Sequence, residues 1–116
     1  MKNHQNNCYK FILSLVNELA QDYDVQYQHM EEFARWNLPE EIALEWLDAE
    51  GMVDILECGS CIPKETVDML REIINAFILA FEEIDSSVWT HEAMRKGAFW
   101  ETQRLKARKL LEIMEA

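Results

Sequence analysis

Apolar residues return at helical intervals from the amino terminus onward. Cys8, Ile12, Leu15, Val16, Leu19 and Tyr23 are spaced by threes and fours, which predicts an amphipathic helix over about Gln5 to Asp22. Val25 to Trp36 repeats the habit with Tyr27, Met30, Phe33 and Ala34. The pattern leaves open whether this stretch continues the first helix or bends away near Asp22-Tyr23-Asp24. Pro39 suits the first turn of a further helix, with Glu40 and Glu41 beside the positive end of its dipole. Beyond it Ile42, Trp46, Ala49, Val53 and Leu56 step by four, three, four and three along one side, while Leu44, Leu47 and Ile55 lie on the other. An unbroken helix would carry two apolar faces, so a break or kink is expected at Gly51.

Cys58-Gly59-Ser60-Cys61 reads as a loop, after which Pro63 opens a helix predicted to reach Ile84. Val67, Leu70, Ile73, Ile74, Phe77, Ile78, Phe81 and Ile84 give it a broad apolar face, widened by Met69 and Leu79, and it should lie at the centre. Asp85-Ser86-Ser87 is a stop and turn. Thr90 suits the N-cap of a short helix through Lys96, with Gly97 as terminator. The last helix, Ala98 to Met114, is expected to bury Phe99, Trp100, Gln103, Ala107, Leu110, Leu111 and Met114, with its Lys and Arg residues near its C-terminal end. The sum is an all-α fold, a compact bundle of four to six helices in one domain over residues 1–116. Its simplest form is a four-helix bundle with short insertions.

Composition agrees with long elements and short connections. Three glycines and two prolines among 116 residues are too few for the many turns of an all-β domain. A 49% hydrophobic content with four tryptophans separates the chain from acidic disordered sequences. No stretch resembles a secretory leader or reaches the ~20 apolar residues of a membrane span. Three cysteines, an odd number, argue against a disulfide framework and for a reducing cytoplasm.

Charge changes the picture most. Twenty-two acids against 11 bases leave a net charge of −11, which disfavours nucleic acid and anionic membranes as partners. The acids are also unevenly placed. Between Trp36 and Pro63 stand Glu40, Glu41, Glu45, Asp48, Glu50, Asp54 and Glu57 with no base, whereas six bases outnumber four acids from Val88 onward. Glu41, Glu45 and Asp48 fall on one helix face, where like charges each cost a few tenths of a kcal/mol. They form either a solvated face balanced across the bundle by the basic final helix, or a docking patch for a strongly basic protein.

Motifs for chemistry are sparse. Cys58 and Cys61 have Cys-x-x-Cys spacing, but His4, His29, His91 and Cys8 lack the spacing of further zinc ligands, and no βαβ pattern supports a redox role. Paired metal-binding histidines, a nucleophile elbow, a phosphate loop and a dinucleotide fingerprint are all missing, so no cofactor, metal or catalytic residue is assigned. Trp36 and Trp89, near helix ends, are the better candidates for an exposed anchor among the four tryptophans.

These features favour a non-enzymatic binding module that docks a basic protein through Glu41, Glu45 and Asp48, with Asp54 and Glu57 on a second flank. A toxin or nuclease, whose nucleic-acid site is cationic, is the best-motivated partner. In size, charge and helicity the chain resembles small acidic bacterial immunity proteins, including those of nuclease bacteriocins. That resemblance is one of bulk properties, without their specificity-helix motif. The alternatives are a small metal- or thiol-dependent enzyme using Cys58 and Cys61 or clustered carboxylates, and a homo-oligomer packed through the Val67–Ile84 face.

Overall fold

A computed structural model describes residues 3–83 and 87–115, in which the backbone is helix and turn with no strand. The helices are α1 (Asn3–Leu19), α2 (Tyr23–His29), α3 (Leu38–Asp48), α4 (Glu50–Cys58), α5 (Lys64–Glu82), α6 (His91–Lys96) and α7 (Ala98–Glu115). Two 3-10 turns, Glu32–Asn37 and Ser87–Trp89, complete the described residues. Only Ala49 separates α3 from α4, and counting them as one bent helix gives six. The all-α bundle forms as expected, with α1, α3 and α4 together, α5 and α7 as its long members. The predicted helix end at Ile84 and most of the Asp85-Ser86-Ser87 stop lie outside the described residues.

The stripe read from the first helix is buried: Cys8, Ile12, Leu15, Val16 and Leu19 all face the core. The chain turns at Ala20 and Gln21, so Tyr23 opens α2 instead of closing α1. The second apolar stretch does not form one helix face. Met30 is extended and ends α2, and the chain resumes as a 3-10 turn. Residues three apart align in that geometry, and here the aligned pair points outward, leaving Phe33 79% and Trp36 77% exposed.

Ile42, Trp46, Ala49, Val53 and Leu56 are all buried, as their seam predicts, while Leu44 remains exposed. The bend that keeps the seam inside falls at Ala49 (φ −79°, ψ −9°), not at Gly51. Gly51 lies within the first turn of α4, and a methyl group there would meet nothing within 4 Å. The turn after α4 has paired closing bonds, Cys61 N–H to the Leu56 carbonyl (2.9 Å) and Ser60 N–H to the Glu57 carbonyl (3.0 Å). These are the two bonds of a Schellman termination. Ser60, with φ 51°, takes the left-handed position usually given to glycine. Gly59 precedes it for steric reasons, because a Cβ there would run into the side chains of Gln5 and Cys61.

Helix α5 buries Val67, Leu70, Ile73, Ile74 and Phe77 against α3, α4 and α7. Most of its apolar face is thus covered within the chain, while Phe81 is 38% and Leu79 61% exposed. Thr90 caps α6 as predicted, its hydroxyl accepting from the Ala93 N–H at 3.0 Å. An aromatic cluster closes this end of the core, with Phe77 against Phe99 and Trp100, and Phe81 stacked on Trp89 at 4.3 Å.

Helix α7 runs antiparallel to α1, and polar contacts mark the register. Tyr9 donates to the Met114 carbonyl (2.8 Å), and Arg108 donates to the Ala20 carbonyl (2.9 Å) and to Asp22 (3.0 Å). Arg104 donates to Gln26 Oε1 (3.0 Å). The basic residues of α7 therefore lie along its middle, and its last turn holds none. They bind the α1–α2 corner where a terminal cluster had been expected. Gln26 and Arg104 are both buried. Gln26 Nε2 reaches the Glu18 and Leu19 carbonyls (3.2 Å each), satisfying acceptors at the end of α1. Burial depresses the Arg104 pKa below its ordinary value, so the guanidinium carries a real desolvation cost.

Gly51→Ala is expected to stabilise the protein by about 0.4–1 kcal/mol, since alanine restricts the unfolded chain at a helical position and the site has room. Equilibrium urea unfolding checks this, and a loss of stability would return the break to Gly51. Gln26→Leu should cost about 1–3 kcal/mol by removing the buried acceptor of one Arg104 donor and the side-chain donor to the Leu19 carbonyl. Adding Arg104→Met should recover part of that loss in the same assay.

Candidate functional site

The acids singled out in the sequence separate into two groups. Glu41, Glu45 and Asp48 follow one face of α3, with Glu41 half-buried and accepting from the Asn37 amide at 3.1 Å. Among the described residues no Lys or Arg pairs with any of the three. Glu45 opens onto a groove of about 460 Å³ between α1, α3 and the segment after α2. Phe11, Leu15, Met30 and Ile42 contribute its apolar lining, and Glu18, Glu31 and Glu45 its carboxylates. His29 contacts Glu18 at 2.8 Å inside this groove. The Glu45 carboxyl is held above its ordinary pKa of 4.5, first by partial desolvation and then by repulsion from Glu18, Glu41 and Asp48. Asp54 and Glu57 lie on α4 and are already engaged. The Arg71 guanidinium on α5 sits 3.0 Å from Asp54 and 2.6 Å from Glu57.

Balance by the basic final helix takes a different form from the one expected. Arg104 and Arg108 pair with Glu101, Arg108 also with Asp22, and Lys106 with Glu72. None of these contacts reaches α3. The counter-charge that does reach the middle segment comes from Arg71, and it serves α4 alone.

Cys58 is exposed, Cys61 half-buried and Cys8 buried, and all three are free thiols. Among the described residues no group of three or more His, Cys, Asp or Glu side chains is placed to hold a metal ion. None of the helices described is long and apolar enough to cross a membrane.

A second concavity, of about 830 Å³, lies where α2, the Glu32–Asn37 turn and α6 meet. Tyr23, Tyr27 and Trp36 supply rings, Arg35 and Arg95 supply cations, and Asp24 and Glu32 supply carboxylates. His91 fastens the three segments together. Its Nε2 lies 2.9 Å from the Trp36 carbonyl, which only accepts, so Nε2 carries the proton. Its Nδ1 shares a hydrogen bond with the Tyr23 hydroxyl, 2.6 Å away, which can donate or accept there. Arg35 braces the far side by donating to the Tyr27, Gln28 and Met30 carbonyls, the acceptor-rich end of α2. Trp36 was recognisable as a candidate anchor from its place beside a loop. The rest of the cleft was not, because Tyr23 and His91 are 68 residues apart and no local spacing joins them.

No protein-family model, curated protein or solved structure matches the chain. What fold and surface define is an all-α bundle with an uncompensated acidic face on α3 and an aromatic, arginine-lined cleft at the α2–α6 corner.

The raised Glu45 pKa carries a pH signature. An acid whose pKa rises on folding favours the native state while protonated and loses that contribution as pH climbs through the folded value. Glu45→Gln is therefore expected to raise the thermal midpoint at pH 7, with the gain vanishing below the ordinary value of 4.5. Calorimetry across pH 3 to 7 (about one-unit steps suffice) checks the sign.

Proposed function

We propose that this chain is a non-enzymatic binding module whose α3 surface docks a basic protein. The observation that carries the reading is the row Glu41, Glu45 and Asp48, unpaired with Lys or Arg among the described residues, whose middle member Glu45 shares an apolar-lined groove with Glu31 and the His29-paired Glu18. Like charges at these spacings oppose helix formation, and Arg71, Arg104 and Arg108 pair with other acids. A cationic partner would relieve the repulsion. Its Lys or Arg heads would meet the carboxylates, and its aliphatic or apolar side chains would fill the groove over Phe11, Leu15 and Met30. Asp54 and Glu57 form a weaker flank, since Arg71 already occupies them.

Within that class we favour an inhibitor or immunity-type protein acting on a toxin or nuclease. The cationic nucleic-acid site of such a target is complementary to a surface that presents carboxylates as phosphates are presented. Three free thiols suit a reducing compartment, and we place the protein in the cytoplasm on that basis. Neither an enzyme built on Cys58 and Cys61 nor one built on a carboxylate cluster gains support from the geometry.

The test is charge reversal of Glu41, Glu45 and Asp48 to Lys together, with wild type and variant as paired baits in lysate of the source cell. A basic protein held by wild type, released by high salt and not retained by the variant is the expected result, with circular dichroism showing both baits folded. Equal retention by the two baits, or no basic protein on either, overturns the reading.

A further inference from the structure

The cleft at the α2–α6 corner is chemically unlike the rest of the surface. The chain has five arginines. Arg71, Arg104 and Arg108 each lie within 4.0 Å of a carboxylate. Arg35 and Arg95 have no such carboxylate among the described residues, and both line this one cleft. In a protein with twice as many acids as bases, two guanidiniums that face one cavity without a carboxylate partner among the described residues are a local concentration of positive charge, balanced in the lining by Asp24 and Glu32. Each also lies over a tyrosine ring, Arg35 over Tyr27 at 5.0 Å and Arg95 over Tyr23 at 4.7 Å. The rings themselves are 6.1 Å apart. The cations are thus lined up with the aromatic wall and held by it. Arg35 uses Nε and one terminal nitrogen on backbone carbonyls, while its other terminal nitrogen makes no hydrogen bond among the described residues. Arg95 makes neither hydrogen bond nor ion pair among them.

The remaining lining narrows the ligand. Trp36 stands 77% exposed at the rim and Tyr27 is 38% exposed, so two flat apolar faces meet water. Asp24 and Glu32 add exposed acceptors. A simple anion would use the guanidiniums and be repelled by these carboxylates. A simple aromatic would use the rings and leave the guanidiniums idle. A molecule with an anionic group, a planar ring and hydroxyl or ring N–H donors uses all three sets at once. We propose that this cleft binds a purine nucleoside monophosphate. Its phosphate lies on Arg35 and Arg95, its base stacks on Trp36 and Tyr27, and its sugar hydroxyls or base N–H groups donate to Asp24 and Glu32. The volume of about 830 Å³ is within the range of small-molecule sites. His91 is a positioning residue here, since its two hydrogen bonds fix Tyr23 and the Trp36 backbone on opposite sides of the opening.

The four tryptophan indole N–H resonances give a direct readout, because Trp36 is the highly exposed one and Trp36→Phe assigns its signal. Full-length protein is titrated with adenosine and guanosine 5′-monophosphates, then with adenosine alone and inorganic phosphate alone. Expected is a saturable shift of the Trp36 resonance with at least one nucleotide, and binding about tenfold or more weaker for nucleoside or phosphate alone. Arg95→Gln and Trp36→Ala should each weaken the nucleotide by about tenfold, with the melting temperature unchanged because both side chains are exposed. Three results would overturn the assignment: no shift with either nucleotide, equal affinity for adenosine, or shifts that survive Arg95→Gln. If Arg95→Gln proved unstable, Arg95→Lys replaces it, and unaltered nucleotide affinity in that variant removes the forked guanidinium from the argument.

Discussion

The arrangement rests on the buried hydrogen bond between Arg104 and Gln26. A guanidinium this enclosed is unfavourable unless its donors are met, and Gln26 meets one while its own amide satisfies the carbonyls at the end of α1. One glutamine thereby joins the C-terminal end of α1, the middle of α2 and the middle of α7. It adds a core anchor to α2, which is seven residues long and lacks a side-chain N-cap bond, beside the contacts of Tyr23 with His91 and of Arg35 with the end of the helix. Because Tyr23 and Tyr27 stand on that helix, the cleft they line inherits its placement from a polar contact in the core. Hydrophobic burial drives the collapse, and this contact selects the corner.

The same economy of bases shapes the surface. Arg104 and Arg108 hold the α1–α2 corner, Arg71 holds α4 against α5, and Lys106 reaches Glu72 on α5. Each of these contacts joins two different elements, so these four bases act as tertiary links. With them so placed, no Lys or Arg among the described residues pairs with Glu41, Glu45 or Asp48 on α3. Its acidity is therefore a consequence of where the cations are needed for packing as much as of how many carboxylates the helix carries. A partner supplying external cations completes what the fold leaves open.

Much of the interior was legible in the sequence because period and burial coincide. The stripes Cys8 to Leu19, Ile42 to Leu56 and Val67 to Phe77 were each read from spacing and are each buried. Reading failed where the backbone left the period. At Ala49 a residue with good helix propensity makes the bend, because burial of the seam on both sides decides its position and propensity does not. At residues 32–37 a 3-10 turn changes the repeat, so Phe33 and Trp36 point outward though their spacing matches a helical stripe. Burial of Arg104 is not legible in the sequence, because a long charged side chain in an amphipathic helix usually lies at the surface and its partner lies 78 residues away. The acidic residues could be named from charge counting, but their division between Arg71-bound and unbound groups depends on the α4–α5 packing.

The acidic groove and the arginine cleft share a wall. Residues Tyr27, Gln28, Glu32, Arg35 and Trp36 line the cleft, while His29, Met30 and Glu31, from the same short segment, line the groove. Arg35 braces this wall by drawing the Tyr27, Gln28 and Met30 carbonyls onto one guanidinium. The brace faces the cleft, and the Met30 backbone it holds carries a side chain into the groove. A bound anion in the cleft would draw on the charge that now braces the carbonyls, and a cationic segment in the groove would press against Met30 from the other side. The two surfaces therefore share a wall a few residues thick, with carboxylates on the groove side and both signs of charge on the cleft side. Met30, the extended residue where α2 ends, belongs to both, since Arg35 holds its carbonyl and the residue lines the groove.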